Sequence, residues 1–132
     1  MTNKKPKFHD DDFKVEILEP PFFKKTGQTI DRKEAWKKGH WYGAVNLWIV
    51  SDQDTPSIVY QQRSPNIGWA PGKLDASAGE HYEDLDTLDD VLDKVSEEIG
   101  KKYDAKDLTY LGKKLNVGIG ADGTTRNTVN DV

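Results

Sequence analysis

The chain has 132 residues, a formal net charge of −4 and no cysteine. This length predicts one domain with a modest core, and the missing cysteines exclude disulfides and thiolate nucleophiles, which fits a cytoplasmic protein. No apolar run approaches the roughly 18 residues of a membrane span, and the acidic balance argues against general nucleic-acid binding. Residues 1–12 are polar and predict a disordered lead rather than a signal peptide, followed by one domain over residues 13–132.

The first half of the chain predicts strands separated by turns. Residues 15–18 have the composition of a strand that stops at two prolines, since proline cannot donate to a ladder. Residues 31–38 fit either a short helix or an extended approach. Residues 44–50 are rich in β-formers and predict the clearest strand, which a turn joins to a second strand over residues 57–62 as a hairpin.

The second half predicts a central helix between further strands. Residues 64–72 are rich in proline and glycine and predict a loop, and residues 73–78 predict a short strand. Residues 87–100 predict a helix because a threonine suits its N-cap, apolar residues recur at helical spacing and a glycine suits its end. Residues 108–117 predict another strand, and a glycine-rich turn follows at 118–124. Strands around one helix indicate an α+β or α/β sandwich.

Three short motifs occur in a fixed order before the predicted helix. Residues 41–50 are similar to W-H-x-A-V-x-V-W-I-V with Tyr42 at the histidine, residues 60–64 to L-Q-x-R-S, and residues 71–81 to P-G-x-W-D-x-S-A-A-G-H. Together they resemble the Nudix superfamily, in the branch near isopentenyl diphosphate isomerase. The resemblance implies a Nudix-like α/β/α sandwich with a mixed sheet. Because no second amphipathic helix follows the last turn, we expect an abbreviated domain or a fragment.

Residues 79–102 resemble an eroded Nudix box, whose intact pattern is G-x5-E-x7-R-E-U-x-E-E-x-G-U, where U is aliphatic. The distal pair Glu97 and Glu98 is kept, whereas Asp93 and Lys94 stand where the family has arginine and glutamate. In the family this loop and helix hold Mg²⁺ against a diphosphate. The segment therefore indicates a Nudix fold with an altered metal site.

The resemblance implies a Mg²⁺- or Mn²⁺-dependent hydrolase that cleaves a diphosphate linkage in a nucleoside diphosphate derivative. An isomerase is disfavoured, because isopentenyl diphosphate isomerases rely on a catalytic cysteine. Arg63 and His81 are candidate substrate-binding residues, although Arg63 also fits a simple salt bridge. The candidate catalytic groups are carboxylates: Glu97, Glu98 and, in the loop, Glu83 or Asp86. The candidate metal ligands are Glu97, Glu98 and Asp93.

Helix geometry leaves the metal site open to two interpretations. At about 100° per residue, Lys94 falls between Glu97 and Glu98, where it would pair with both and remove the charge that Mg²⁺ needs. Alternatively, Asp90, Asp93 and Glu97 form a replacement set of carboxylates or an ordinary solvated face. The rival function is a catalytically inactive Nudix-like ligand-binding or regulatory domain. The oligomeric state is open, a homodimer included.

Overall fold

The structure is a computed structural model that describes residues 12–66 and 70–132. Nearly all of the predicted lead lies outside these ranges. Within them the strands are β1 (Lys14–Glu19), β2 (Lys24–Asp31), β3 (Trp41–Leu47), β4 (Ile49–Val50), β5 (Ile58–Val59), β6 (Gln61–Gln62), β7 (Leu74–Asp75), β8 (Ala78–His81), β9 (Lys113–Ile119) and β10 (Thr125–Asp131). The helices are α1 (Arg32–Lys38), α2 (Leu88–Ile99) and a 3₁₀ turn (Ala105–Asp107). No helix in these ranges is both long enough and apolar enough to span a bilayer.

A mixed sheet forms the centre of the fold. Its strands run in the order β2-β1-β3-β10-β9, and β8 pairs with β3 on the β1 side. β3 and β10 are parallel, whereas the other pairs are antiparallel. Two short ribbons, β4 with β5 and β6 with β7, extend beyond the sheet. The predicted mixed sheet is therefore confirmed.

The two helices cover different faces of this sheet. Alternate residues of a strand point to opposite faces, so Tyr42 and Val45 of β3 belong to different layers. One buried cluster joins β3 and β8 to α2: Val45, Leu47, Ala78, Val91 and Val95. The other joins β1 and β3 to α1: Val15, Ala35 and Tyr42. This arrangement agrees with the predicted α/β/α sandwich.

Helix α2 forms where the sequence predicts it. The Thr87 hydroxyl accepts a hydrogen bond from the Asp90 amide, and Asp90 Oδ2 accepts one from the Thr87 amide at 2.8 Å, which completes a capping box. Gly100 ends the helix in the left-handed conformation that favours glycine. Val91 and Leu92 of the apolar stripe are buried in the core. Local signals thus suffice for this element.

Several predicted strands are shorter or broken in the structure. The predicted strand over residues 44–50 begins earlier and is split at Trp48, and the predicted strand over residues 57–62 is split at Tyr60. The predicted strand over residues 73–78 is split at Ala76 and Ser77. The Ser77 hydroxyl accepts from the Ile49 amide at 2.8 Å and donates to the Val59 carbonyl. This one side chain supplies bonds that a continuous ladder would otherwise make, so the chain leaves the sheet here.

Other elements were undecided or unpredicted. Residues 31–38, which fitted two conformations, form α1. The prediction of a strand from residue 108 was wrong at its start, because a 3₁₀ turn and a glycine at positive φ precede β9. β2 and β10 were not predicted. β10 is central to the sheet, because it pairs with β3 on one side and β9 on the other.

Candidate functional site

A lysine of α2 forms two salt bridges with the loop that precedes the helix. Lys94 Nζ lies 2.6 Å from Asp86 Oδ2 and 3.4 Å from Glu83 Oε2. Asp86 Oδ2 also accepts a hydrogen bond from the Glu83 amide at 3.0 Å. Burial lowers the pKa of Lys94, but its hydrogen bond to Asp86 and the two carboxylate charges outweigh this effect and raise the pKa overall. Lys94 therefore stays protonated, and its single positive charge offsets part of the negative charge of the two loop carboxylates.

The prediction that Lys94 pairs with Glu97 and Glu98 was wrong. Both of its salt bridges in the described ranges go backward along the chain, to Glu83 and Asp86. The reason is geometric, because side chains on a helix tilt toward its N-terminus. A long side chain at position 94 consequently reaches the preceding loop rather than the following turn.

The remaining box carboxylates lie on the outer side of α2. Asp93, Glu97 and Glu98 are exposed. Glu98 Oε1 accepts a hydrogen bond from Gln61 Nε2 of β6 at 3.3 Å. In residues 12–66 and 70–132, no three side chains of His, Asp or Glu gather into a group that could hold one ion. The helix thus presents its carboxylates singly or in pairs.

These residues fit a divalent cation only in part. Mg²⁺ commonly takes one or two protein carboxylates and obtains its other ligands from water and substrate phosphates. Asp93 and Glu97 are four residues apart and share one helix face, and Glu98 is adjacent, so this face meets that minimal requirement. Glu83 and Asp86 do not fit, because the Lys94 ammonium lies between them.

A cavity of about 380 Å³ opens on the sheet face beside α1. The sheet residues that form its floor are mostly polar and come from β3, β9 and β10: Asn46, Asn116, Thr128 and Asn130. Both candidate substrate-binding residues, Arg63 and His81, line this cavity. Gln61 lines it as well, and through this side chain the cavity wall contacts Glu98 of α2. The structure thus brings these candidates to one place, whereas Glu83 and Asp86 lie elsewhere, beside Lys94.

A salt bridge to Asp75 holds Arg63 at the cavity wall. Arg63 Nη1 donates to Asp75 Oδ2 at 3.0 Å, which is the salt bridge that the sequence also allowed. The Arg63 side chain is 15% exposed, so its head group is held in place while still lining the cavity. The His81 ring packs near Tyr42 with ring centroids 5.8 Å apart. These contacts orient both side chains at the cavity.

Sequence reasoning missed a second group of cavity residues. Arg32 and Trp36 reach the cavity from α1, and Arg126 reaches it from β10. The guanidinium carbons of Arg32 and Arg126 lie 4.8 and 4.2 Å from the centroid of the Trp36 ring. The alternation of Arg126, Thr128 and Asn130 is the signal that could have revealed the polar face, but it has meaning only once β10 is assigned.

Comparison with known proteins points to one superfamily. No family model matches the chain. Over 82 residues, 61% of this chain, it is 29% identical to an uncharacterized Nudix hydrolase of Clostridium acetobutylicum. The matched part is 40% of that protein, so the chain spans less than half the length of this relative. The similarity suggests the Nudix superfamily and, at most, a Nudix-type hydrolase.

Proposed function

We propose that the chain is a Nudix-type hydrolase that cleaves a diphosphate linkage in a small nucleoside diphosphate derivative. The observation that carries this proposal is the contact between Glu98 and Gln61, because it joins the box helix to the wall of the cavity. A ligand in the cavity could then extend toward Glu97 and Glu98. The partner is a small molecule rather than a membrane or a nucleic acid, and we place the activity in the cytoplasm.

In this proposal Arg63 and His81 position the ligand. The planar Arg63 guanidinium suits phosphate oxygens, and its salt bridge with Asp75 fixes its direction. Glu97 and Glu98, with Asp93, are the residues that would hold Mg²⁺ or Mn²⁺ together with the substrate. When bound, such an ion polarises the phosphoryl oxygen and lowers the pKa of water. Glu83 is a weaker candidate for a catalytic role, since it faces Lys94.

Lys94 favours a second candidate function, a ligand-binding or regulatory domain without catalysis. Its ammonium pairs with Glu83 and Asp86, so these two loop carboxylates face a positive charge and are not available to a divalent cation. A chain of this kind would keep the cavity and its ligand but turn over little or nothing. Under the hydrolase proposal, the same lysine makes turnover slow.

Hydrolysis assays separate the two functions. Purified protein is incubated with Mg²⁺ or Mn²⁺ and a panel of nucleoside diphosphate derivatives, and the release of phosphate or monophosphate is measured. We expect slow release that disappears in Glu97→Gln and persists in Asp89→Asn, which removes another exposed acid of α2. No release by the unmodified chain, together with no Mg²⁺ binding by calorimetry, would reject the hydrolase and leave the binding domain.

The complementary variant is Lys94→Glu. It removes the ammonium and adds one more carboxylate to the box, so we expect tighter Mg²⁺ binding and faster release than in the unmodified chain. Lys106→Glu makes the same charge change at an exposed site outside α2 and serves as the control. Equal Mg²⁺ affinity in both variants would show that Lys94 does not limit the metal site.

A further inference from the structure

The sheet face beneath the cavity has an unusual composition for a sandwich. A sheet face that is covered in the fold normally carries apolar side chains, because burying polar groups costs free energy unless they are hydrogen-bonded. Here neighbouring strands instead present Asn46, Thr128 and Asn130. Asn130 Nδ2 donates to Asn46 Oδ1 at 2.9 Å, which fixes both amides. The floor is therefore an ordered polar surface.

One buried oxygen of this floor has no hydrogen-bond donor among the residues that the structure describes. Asn130 is 6% exposed, and its Oδ1 accepts no hydrogen bond from the residues that the structure describes. Most buried polar atoms in native proteins have a partner, and an exception is commonly explained by a water molecule or a ligand. Because Asn130 lines the cavity, a molecule in the cavity could supply that donor.

The wall beside α1 concentrates positive charge. Arg32 is 4% exposed and stacks near Phe13 and Trp36, with its guanidinium carbon 4.3 Å from the Phe13 centroid. Arg126 stacks near the same Trp36 ring from β10. The negative face of an aromatic ring attracts guanidinium groups. The Trp36 indole therefore brings two guanidinium groups together at one end of the cavity.

Tyr42 completes this end of the cavity. Its hydroxyl accepts a hydrogen bond from Trp36 Nε1 at 2.9 Å, so its own proton is available for an acceptor. Burial raises the pKa of Tyr42, while the Trp36 hydrogen bond and the charges of Arg32 and Arg126 oppose that rise. Both arginine charges are thus felt at the hydroxyl, and the group stays a neutral donor at physiological pH.

The balance of charge around the cavity is positive. Three arginines line it against two acids, Asp75 and Glu80, so the formal balance is one positive charge when histidine is counted as neutral. The whole chain carries −4, so the cavity has the opposite sign to its surroundings. Low-dielectric walls strengthen such a charge toward an anion.

We propose that Arg32, Arg126 and Tyr42 form a binding site for the phosphate end of a small ligand, and that this site works without a divalent cation. The inference rests on the proposed function only in taking the cavity as the ligand site, and it does not require hydrolysis. A carboxylate has two oxygens, which a single arginine fork satisfies, whereas a phosphate has oxygens enough for two forks and a hydroxyl. The volume of about 380 Å³ suits a small molecule and not a polymer.

The test is a titration with inorganic pyrophosphate in the presence of EDTA. Binding is measured by calorimetry and by the nuclear magnetic resonance signal of the Trp36 indole N–H, which lies at the proposed site. We expect the unmodified chain to bind, Arg126→Gln to bind at least tenfold more weakly and Arg126→Lys to lie between them, because lysine keeps the charge and loses the fork. Lys33→Gln is the matched control, since it removes one exposed positive charge of α1 outside the cavity.

The outcomes are distinct from those of the hydrolase test. Equal weakening by Arg126→Gln and Lys33→Gln would mean that only general charge matters, and would overturn the site. Binding that appears only with Mg²⁺ would assign the phosphate to the box helix and also overturn it. Binding in EDTA by a chain that releases neither phosphate nor monophosphate in the assay and does not bind Mg²⁺ would reject the hydrolase alone. Because Arg32 is buried, Arg126 carries the test, and thermal unfolding verifies that each variant is folded.

Discussion

The Tyr82 hydroxyl donates a hydrogen bond to Asp131 Oδ2 at 2.8 Å and so joins the start of the box loop to the end of β10. Asp131 Oδ1 also accepts from Lys113 Nζ at 2.7 Å and from the Tyr110 hydroxyl at 3.1 Å. Three segments that are distant in sequence therefore meet at one half-buried carboxylate. The contact positions the loop that carries Glu83 independently of its salt bridge to Lys94.

The first prediction concerns Asp131→Asn. An amide keeps the shape but loses the charge that Lys113 pairs with, so we expect the free energy of unfolding at pH 7 to fall by about 1–2 kcal/mol. Burial raises the pKa of Asp131, but its hydrogen bonds from Lys113 and Tyr82 outweigh this and lower it below the ordinary 3.8. The stabilisation is therefore present above pH 3.8 and is lost as pH falls through the folded-state pKa.

Urea unfolding at pH 7 and pH 3 measures this effect. The difference between the unmodified chain and Asp131→Asn should shrink at pH 3, whereas Asp54→Asn in an exposed turn should matter little at either pH. A difference of equal size at both pH values would show that the carboxylate charge is not what stabilises this contact.

The second prediction concerns Lys94→Met. Removing the ammonium leaves Glu83 and Asp86 facing each other without compensation, so we expect a loss of about 1 kcal/mol at pH 7, limited by partial exposure. In an Asp86→Asn background the two acids no longer repel each other, so Lys94→Met should cost much less there. Because the folded-state pKa of Lys94 is raised above 10.5, its own contribution is complete below 10.5 and is lost as pH rises through the raised value.

Thermal unfolding midpoints at pH 7, with Lys94→Met made in the unmodified chain and in the Asp86→Asn variant, check this prediction. Lys106→Met, at an exposed position in the 3₁₀ turn, is the control and should change neither midpoint much. A destabilisation by Lys94→Met of the same size in both backgrounds would point to lost packing of its methylene chain instead of lost charge.

The third prediction compares two glycines of the sheet. A Cβ at Gly43 would meet Tyr82 Cδ2 at 2.8 Å, and the hydrogen bond to Asp131 limits how far that ring can move. Gly43→Ala should therefore cost about 1–3 kcal/mol by overpacking. A Cβ at Gly79 meets its nearest atoms at 3.7 Å, which is ordinary contact, so Gly79→Ala should cost much less. Denaturant unfolding of the two variants is the measurement, and equal losses would contradict the clash.

The fourth prediction concerns the core beneath α2. Leu92 is 1% exposed, so Leu92→Ala should lower the free energy of unfolding by about 2–5 kcal/mol through lost burial and a residual cavity. Leu85 in the preceding loop is 60% exposed. Leu85→Ala should therefore change the free energy of unfolding by about 0.5 kcal/mol or less. A small loss for Leu92→Ala would mean that the surrounding side chains collapse into the space. The unfolding enthalpy from calorimetry would confirm that both variants unfold cooperatively.

The parts of the fold that were predicted correctly depend on local signals. The capping box, the apolar stripe and the terminal glycine of α2 all lie within one short segment, so its limits follow from the sequence. The ends of the strands do not, because Ser77 replaces ladder bonds with side-chain bonds to Ile49 and Val59. The alternation of residues within a strand does not predict a hydrogen-bond partner so far away in the chain.

The cavity was harder to predict than the box for the same reason. The box is one continuous segment, whereas Arg32, Trp36 and Arg126 come from a helix and from the last strand, and they meet only because β10 lies beside β3. The direction of Lys94 was likewise missed, since counting angles around a helix ignores the tilt of its side chains. Arg63 and His81 were singled out from the motifs, and their common position on the cavity follows from the pairing of the short ribbons and β8.

Neighbouring residues of β3 face opposite sides of the sheet. Tyr42, Ala44 and Asn46 face the cavity, whereas Val45 and Leu47 pack against α2. A protein engineer can therefore replace Asn46 to suit a different ligand while leaving the contacts with α2 in place. Inserting or deleting a single residue in β3 would exchange the two sets and place an asparagine in the core. Substitution of Asn46 thus leaves the core intact, whereas any change in the length of β3 would disrupt it.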